Sequence, residues 1–359
     1  MSGKIAYTEL LLEMLSIPAV SREEQQRANF LEAYMKGRGW SLKRINNNLL
    51  VGDPDAHGAS ILLNSHMDTV PPVDGWESDP FSPLVNGDKI VGLGSNDAGA
   101  SVVSMLTAYD HMKEKLSGSI NLLLLISAEE EVSGSNGISA VLPMLGNVEA
   151  VIVGEPTGMS PAVAERGLMV LDGEIKGKAG HAARNEGINA IYEAMKDVAA
   201  IAELEFTKGS EWLPEPSAQV TMISAGTRHN VVPDLCSYVV DVRSNDQYGN
   251  ERLLALIRSV CGAKLIPRST RLHSSGLDPE HYLMKTIHAT GLEPFGSSTL
   301  SDMALIPFPA IKMGPGESSR SHTAGEYIRI SELERGVEAY CSFLEHIEVK
   351  ENESNETLG

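Results

Sequence analysis

The chain shows two textures of apolar and polar positions. In the first, short apolar runs recur without period-two alternation: "SILLNS" at 60–65, "INLLLLIS" at 120–127 and "AVIVG" at 150–154. Such runs predict strands buried on both faces of a mostly parallel sheet. Helical stretches lie between them, among them "AGASVVSMLTAYDHMKEKL" at 98–116. Alternating strands and helices predict a three-layer α/β domain. The opening "MSGKIAYTELLLEMLSIPAV" reads as an amphipathic helix ended by Pro18. Ser21 and Glu24 form a capping-box pattern that predicts a second helix running to about Gly37.

Around Gly167 the texture changes. "GLMVLDGEIKGKAGHAA" alternates like a half-exposed strand, a helix follows at "GINAIYEAMKDVAAIAEL", and "SAQVTMISAG" and "DLCSYVVDVRS" alternate again before the helix "NERLLALIRSVCG". This βαββα(β) order suits an open antiparallel sheet with helices on one face. From about 275 the first texture returns, with a strand at "AIKMG" (310–314), a last helix opened by a Ser331–Glu334 capping box, and a tail, "KENESNETLG", expected to be disordered. The predicted organisation is a catalytic domain in two parts, 1–167 and 275–359, interrupted by an inserted α+β domain at 168–274. A length of 359 residues exceeds the usual single core, in keeping with two domains.

Composition narrows the function classes. A formal charge of −19 leaves no basic footprint for nucleic acid. The longest purely apolar run, Leu122 to Ile126, is too short to span a membrane, and the first residues lack a signal peptide's apolar core. Three widely spaced cysteines (Cys236, Cys261, Cys341) suggest a reducing compartment, with cytoplasm as the default, and neither a disulfide frame nor a thiolate metal site. "GLGSNDAG" is not a phosphate loop, because it lacks a Lys-Ser/Thr ending and its Asp would repel phosphate.

The candidate chemistry lies where the buried strands end. His66 and Asp68 follow the first run, Asp97 precedes a helix, Glu129, Glu130 and Glu131 close the second run, Glu155 closes "VIVGEPTG", and His322 follows the last strand. Ligands of open α/β sheets bind outside the carboxyl ends of the strands. Taken singly, each residue has an ordinary reading: a core histidine, an N-cap aspartate, a solvated acidic run. Three carboxylates directly after "NLLLLIS" are costly to bury unless a cation or hydrogen bonds compensate them. Two histidines and several carboxylates on one rim suit a pair of borderline divalent ions, zinc above all. Such a site needs a bridging carboxylate, terminal ligands and an unligated carboxylate to deprotonate water. Asp68, two residues after His66, is placed to accept the second imidazole N–H.

"HMDTVPP", "GLGSNDAGA", "AEEEVSGSNG", "VGEPTG", "GKAGHAA" and "SHTAGEYI" resemble, in order and over essentially the whole chain, the signatures of the co-catalytic zinc peptidases and amidohydrolases. That family includes acetylornithine deacetylases, succinyl-diaminopimelate desuccinylases, aminoacylases and G-type carboxypeptidases. The resemblance is strongest to the acetylornithine deacetylase branch. It implies that His66 and Glu155 hold one ion, Glu131 and His322 the other, and that Asp97 bridges them, with cobalt as a substitute for zinc. It further implies Glu130 as general base and the insert as a lid and dimerisation domain. His181 would stabilise the oxyanion, often in the partner subunit's site, which makes a homodimer the expected assembly. Asn230 and Arg243 fall where relatives contact substrate, and Arg166 is a further candidate for a carboxylate clamp, since arginine offers a bidentate fork. Arg228 and His229 are weaker candidates, and Ser301 and Asp302 resemble a segment lining the pocket.

Two positions depart from the family pattern. "SNDAGAS" stands where many relatives have S-x-D-M-K-G, and Glu129 stands where they commonly have Asp. The implied function is hydrolysis of an N-acyl amino acid, such as an N-acylornithine or N-acylcitrulline of arginine biosynthesis. Succinyl-diaminopimelate desuccinylase or a dipeptidase is the runner-up, and a non-catalytic metal-binding relative is the reading from another class. The remaining histidines, His57, His111, His273, His281, His288 and His346, read as surface or structural, and the methionines, Met222 and Met303 among them, as core filler.

Overall fold

The apolar runs are strands buried on both sides. The structure, a computed structural model, describes residues 2–56 and 58–348; His57 and the tail from 350 lie outside the described residues. Strand Ala59–His66 is buried from Ser60 onward, and Ile120–Ser127 and Val148–Val153 are buried almost throughout. Their parallel register sets Leu62 beside Leu123 and Val151, and Leu63 beside Leu124 and Ile152. Successive side chains point to opposite faces, so each strand feeds two cores. Leu62, Leu123, Leu125, Val151 and Val153 form one core with Ile138, Val141, Leu145 and Met303, which come from short 3₁₀ turns and their flanks. Against the sheet also lies helix Ala100–Leu116, which contacts helices Ile330–Glu345 and Ser2–Leu15. The result is a three-layer α/β fold.

The chain divides into two compact units, one comprising residues 1–163, 277–295 and 301–359, the other 164–276 and 296–300. In the first, the strands lie in the order Leu42–Ile45, Asn48–Val51, Ile120–Ser127, Ala59–His66, Val148–Val153, Ala310–Lys312, then the first residues of Ala162–Glu165. The four from Ile120–Ser127 to Ala310–Lys312 are parallel neighbours, and the flanking pairs are antiparallel. A small sheet of Leu84–Asn86, Lys89–Val91 and Tyr327–Arg329 was not expected from the sequence.

Both capping boxes are corrected. The second helix starts at Gln25 with Glu24 at its N-cap and no side-chain cap. Ser21 lies in the turn before the helix, its N–H donating to Thr69 O, and its hydroxyl donates to Asp68 Oδ2 at 2.7 Å. The last helix starts at Ile330, directly after strand Tyr327–Arg329, so Glu332 rather than Glu334 accepts from the Arg329 N–H at 3.0 Å. Ser331 instead donates to Asp88 Oδ2 at 2.7 Å.

The second unit is an antiparallel sheet in the order Ser217–Ala225, Leu235–Ser244, Gly167–Lys176, Lys264–Pro267. Met169, Leu171, Ile175, Tyr238, Val240 and Val242 share a core with Ala190, Ala194 and Ile201 of helix Ala190–Ala202 and with Leu253, Leu254 and Ile257 of helix Asn250–Val260. Met222 is corrected: it is 65% exposed, because the edge strand's outer part is not covered by these helices, whereas Met303 is buried as expected. Asp197 is the polar hub of this core. It accepts from Tyr238 Oη at 2.7 Å, Gly262 N at 2.8 Å and Ala263 N at 2.9 Å. Asp197→Ala orphans three donors at a buried site, so denaturant unfolding is expected to show a loss of about 3 kcal/mol. An unchanged midpoint would remove Asp197 from the core's support.

Candidate metal centre

Five loops at one end of the parallel sheet meet around two imidazoles. His66 closes its strand, and its Nε2 lies 3.2 Å from Asp97 Oδ1, 3.7 Å from Glu155 Oε1 and 3.9 Å from Glu130 Oε2. His322 Nε2 lies 3.0 Å from Glu131 Oε2 and 3.6 Å from Asp97 Oδ2. Asp97 therefore turns one oxygen to each histidine. His66 is only 1% exposed, while His322 is half-exposed.

The electrostatics follow from this crowding. Burial, then Asp97, pushes the Glu155 carboxyl up to about 8, and burial, then Glu155 and Asp302, also raises Glu130 against the pull of His66. The Glu131 carboxylate raises His322 to about 9. Burial opposes protonation of His66, yet Glu130, Asp68, Asp97 and Glu155 together hold it well above its ordinary value. Carboxylates that repel one another in low dielectric, with imidazole nitrogens among them, form a cation-binding set. The residues fit divalent ions: ligand atoms of His66, Asp97 and Glu131, and of His66, Glu130 and Glu155, lie within 4.8 Å of one another. These groupings cut across the sets implied by the resemblance, since Glu130 also stands within reach of His66.

Behind the rim, Asp68 does more than face His66. Its nearest approach to Nδ1 is the main-chain carbonyl at 3.0 Å, with Oδ1 at 3.5 Å. Its carboxylate accepts the N–H of Glu130 at 3.1 Å, the N–H of Glu131 at 3.2 Å and the Ser21 hydroxyl. The aspartate thus ties the glutamate loop to the histidine strand. That loop turns tightly at Glu129 (φ 54°), whose carboxylate accepts from Asn136 Nδ2 at 3.0 Å, and a Cβ at Gly134 would lie 1.8 Å from Glu129 Oε2. Arg27, 1% exposed, donates through Nη1 to Met67 O at 2.8 Å and through Nη2 to Ile17 O at 2.7 Å. Burial lowers its pKa to about 10 against the attraction of Asp68, Glu326 and Glu24. Asp302 accepts from the Ser127 hydroxyl at 2.7 Å, one layer below the rim. The sequence reading missed Ser21, Arg27 and Glu326 as parts of this site. Ser21 was assigned to a helix cap, and a buried arginine on an amphipathic helix carries no pattern of its own. Only Glu326, four residues past His322, had a neighbouring motif to point to it.

The other candidates lie in the second unit. His181 and Asn230 come together where Gly180–His181 pairs with Val231–Val232; Ala182 N donates to Asn230 O at 3.1 Å. The His181 imidazole is exposed, its Nδ1 accepting from Ala183 N at 3.2 Å. Arg166 Nη2 donates to Glu215 O at 3.1 Å, Ser217 Oγ at 3.0 Å and Arg243 O at 3.3 Å, while its buried Nε has no hydrogen-bond partner. Arg243 grips Asp241 through Nε at 2.8 Å and Nη2 at 3.1 Å.

A parallel α/β sheet whose strand ends gather two histidines and four carboxylates defines a metal-dependent hydrolase of the zinc-peptidase type. The chain belongs to peptidase family M20/M25/M40, whose profile matches residues 62–346. It is 28% identical over 351 residues to the [LysW]-lysine/[LysW]-ornithine hydrolase of Saccharolobus solfataricus, covering 94% of this chain and 95% of that one. It is 25% identical over 369 residues to the succinyl-diaminopimelate desuccinylase of Xylella fastidiosa, covering 94% and 98%. Among solved structures, aminopeptidase PepT from Bacillus cereus superposes with a TM-score of 0.77 at 20% identity, over 96% of this chain and 98% of that one. An M20 metallo-carboxypeptidase from Sulfolobus solfataricus gives 0.74 at 17%, over 95% and 98%. Among the described residues, no helix is long and apolar enough to cross a membrane.

Proposed function

We propose that the chain hydrolyses the amide bond of an N-acyl amino acid, an N-acetyl- or N-succinyl-ornithine or -citrulline of arginine biosynthesis, to a carboxylate and a free amino acid. The observation that carries the reaction type is Asp97 set between His66 and His322, with Glu130 beside them. The relatives' names, a lysine/ornithine hydrolase and a desuccinylase, support an acylated amino acid as substrate. Bound through His66, Glu155 and Asp97 and through Glu131, His322 and Asp97, two divalent ions, zinc or cobalt in its place, would acidify a water and polarise the scissile carbonyl. Glu130 takes the proton of that water as its oxygen bonds to the carbonyl carbon, and returns it to the amine nitrogen as the C–N bond breaks. His181 donates to the developing oxyanion. Asp68 keeps His66 and the glutamate loop in register. Arg166, Arg243 and Asn230 receive the substrate's carboxylate end.

In this reading residues 168–274 are a lid and dimerisation domain, and the protein works as a cytoplasmic homodimer. Tyr192, Met195, Met222 and Ile223, each more than half exposed, support a partner surface there. The deciding assay sets N-acetyl, N-succinyl and dipeptide substrates side by side on metal-replete protein. The expected result is turnover of an N-acylornithine or N-acylcitrulline above every dipeptide. Preference for N-succinyl-diaminopimelate would transfer the assignment to the desuccinylase. Cleavage of dipeptides alone would sink the acyl-amino-acid reading.

A further inference from the structure

Glu326 is a carboxylate that none of the proposed roles uses, and it is almost wholly buried, at 1% exposure. Its Oε1 accepts the N–H of Asn96 at 2.8 Å and of Asp97 at 2.9 Å, and its Oε2 accepts the N–H of Gly94 at 3.1 Å. Its own main-chain carbonyl accepts from Gly92 N at 3.0 Å. One residue, distant in sequence, thus satisfies four N–H groups of the turn that presents Asp97. That turn has few alternatives. Gly94 sits at φ +77°, and a Cβ there would lie 2.5 Å from Thr69 Cγ2. The Asn96 side chain closes the same junction from the other side, donating to Glu317 O at 3.1 Å and to Ser321 Oγ at 3.2 Å and accepting from Glu317 N at 3.0 Å. The Asp97 turn and the segment carrying His322 are therefore interlocked on either side of His322.

A buried carboxylate is costly without hydrogen bonds; burial and Asp97 push the Glu326 carboxyl up to about 7, and the three N–H groups it accepts oppose that rise. Converging backbone N–H groups make an anion cradle. The fully buried Arg27 guanidinium attracts Asp68, Glu326 and Glu24, none of them an implied ligand. Asp68 and Glu326 divide the rim, Asp68 holding the loop of Glu130 and Glu131 and Glu326 holding the turn of Asp97.

We propose that Glu326 is a positioning residue that fixes the Asp97 turn in its ligating conformation before any ion arrives, and so sets the affinity for both ions. This rests on the metal-centre reading above, but its first readout does not. In metal-free protein, amide hydrogen exchange at Gly94, Asn96 and Asp97 is followed in wild type, Glu326→Gln and Glu326→Ala. Glutamine keeps one oxygen, which takes the place with two donors. Glu326→Gln is therefore expected to lose protection at Gly94 and to retain it at Asn96 and Asp97, while Glu326→Ala loses all three. Calorimetric titration of the same apoproteins with cobalt(II), well below their melting temperatures, should then show affinity lowered by about 10- to 100-fold in Glu326→Ala and by less in Glu326→Gln. A support acting on stability alone would lower the melting temperature and leave the cobalt affinity unchanged. Wild-type exchange at all three amides in Glu326→Gln and Glu326→Ala, or wild-type cobalt affinity in a folded Glu326→Ala, would overturn the proposal. Failure of wild type to bind cobalt would overturn the metal-centre reading and this proposal's affinity claim with it. The exchange pattern would still decide whether Glu326 holds the turn.

Discussion

Glu130→Ala is expected to lower kcat by about 10²- to 10⁴-fold while leaving two ions per chain. The reason is that Glu130 is assigned to carry the proton from water to the leaving amine, not to hold an ion. The site makes this a sharp test, because Glu130 Oε2 stands 3.9 Å from His66 Nε2, close to the 3.7 Å of Glu155. A ligand and a base are thus near-equivalent in position and differ in what their loss removes. Elemental analysis of purified Glu130→Ala beside its kcat separates them. Loss of an ion with the turnover would make Glu130 a ligand and pass the base role to a neighbour, and retained wild-type turnover would remove it from the chemistry.

Asp97→Ala is expected to have the widest effect of any single change at the rim. Its Oδ1 faces His66 and its Oδ2 faces His322, so truncation removes a ligand from both ions at once. Activity should vanish, and titration of the apoprotein should find both binding steps weakened. His322→Ala, by contrast, should weaken one step and spare the other. The comparison is made by calorimetry with zinc or cobalt on the two variants. If Asp97→Ala retains one step at wild-type affinity, Asp97 serves a single ion and the sharing inferred from its two oxygens is wrong.

The legible part of the fold was the part governed by period and length. The runs at 60–65 and 120–127 are legible because neither carries a charged residue or a period-two alternation. The order of the strands was not legible, nor was the sheet built on Leu84–Asn86, since three-residue strands carry no periodicity. At the site, the rim residues could be read because ionisable side chains ending apolar runs are costly and conspicuous. The layer behind them could not. Ser21 and Ser331 both sit in plausible capping patterns, and both hydroxyls go instead to aspartates far away in sequence, Asp68 and Asp88. A capping box is a local signal, and a tertiary carboxylate outbid it in each case. Met222 failed for a different reason: side-chain type does not tell which face of an edge strand is covered.

The position of strand Ala310–Lys312 has a consequence for how the polypeptide matures. It lies between Val148–Val153 and the start of Ala162–Glu165, inside the first unit's sheet, yet it leaves the ribosome only after all of 164–276. That stretch is complete before the strand exists, and the antiparallel pairings of its four-stranded sheet all fall within it. It can close on itself early, whereas the edge of Val148–Val153 must wait. During that interval Val151 and Val153 lack their flanking strand, and an open apolar strand edge is what invites mispairing with other nascent chains. The vulnerable window in biosynthesis therefore belongs to the parallel sheet and ends when residue 312 is delivered.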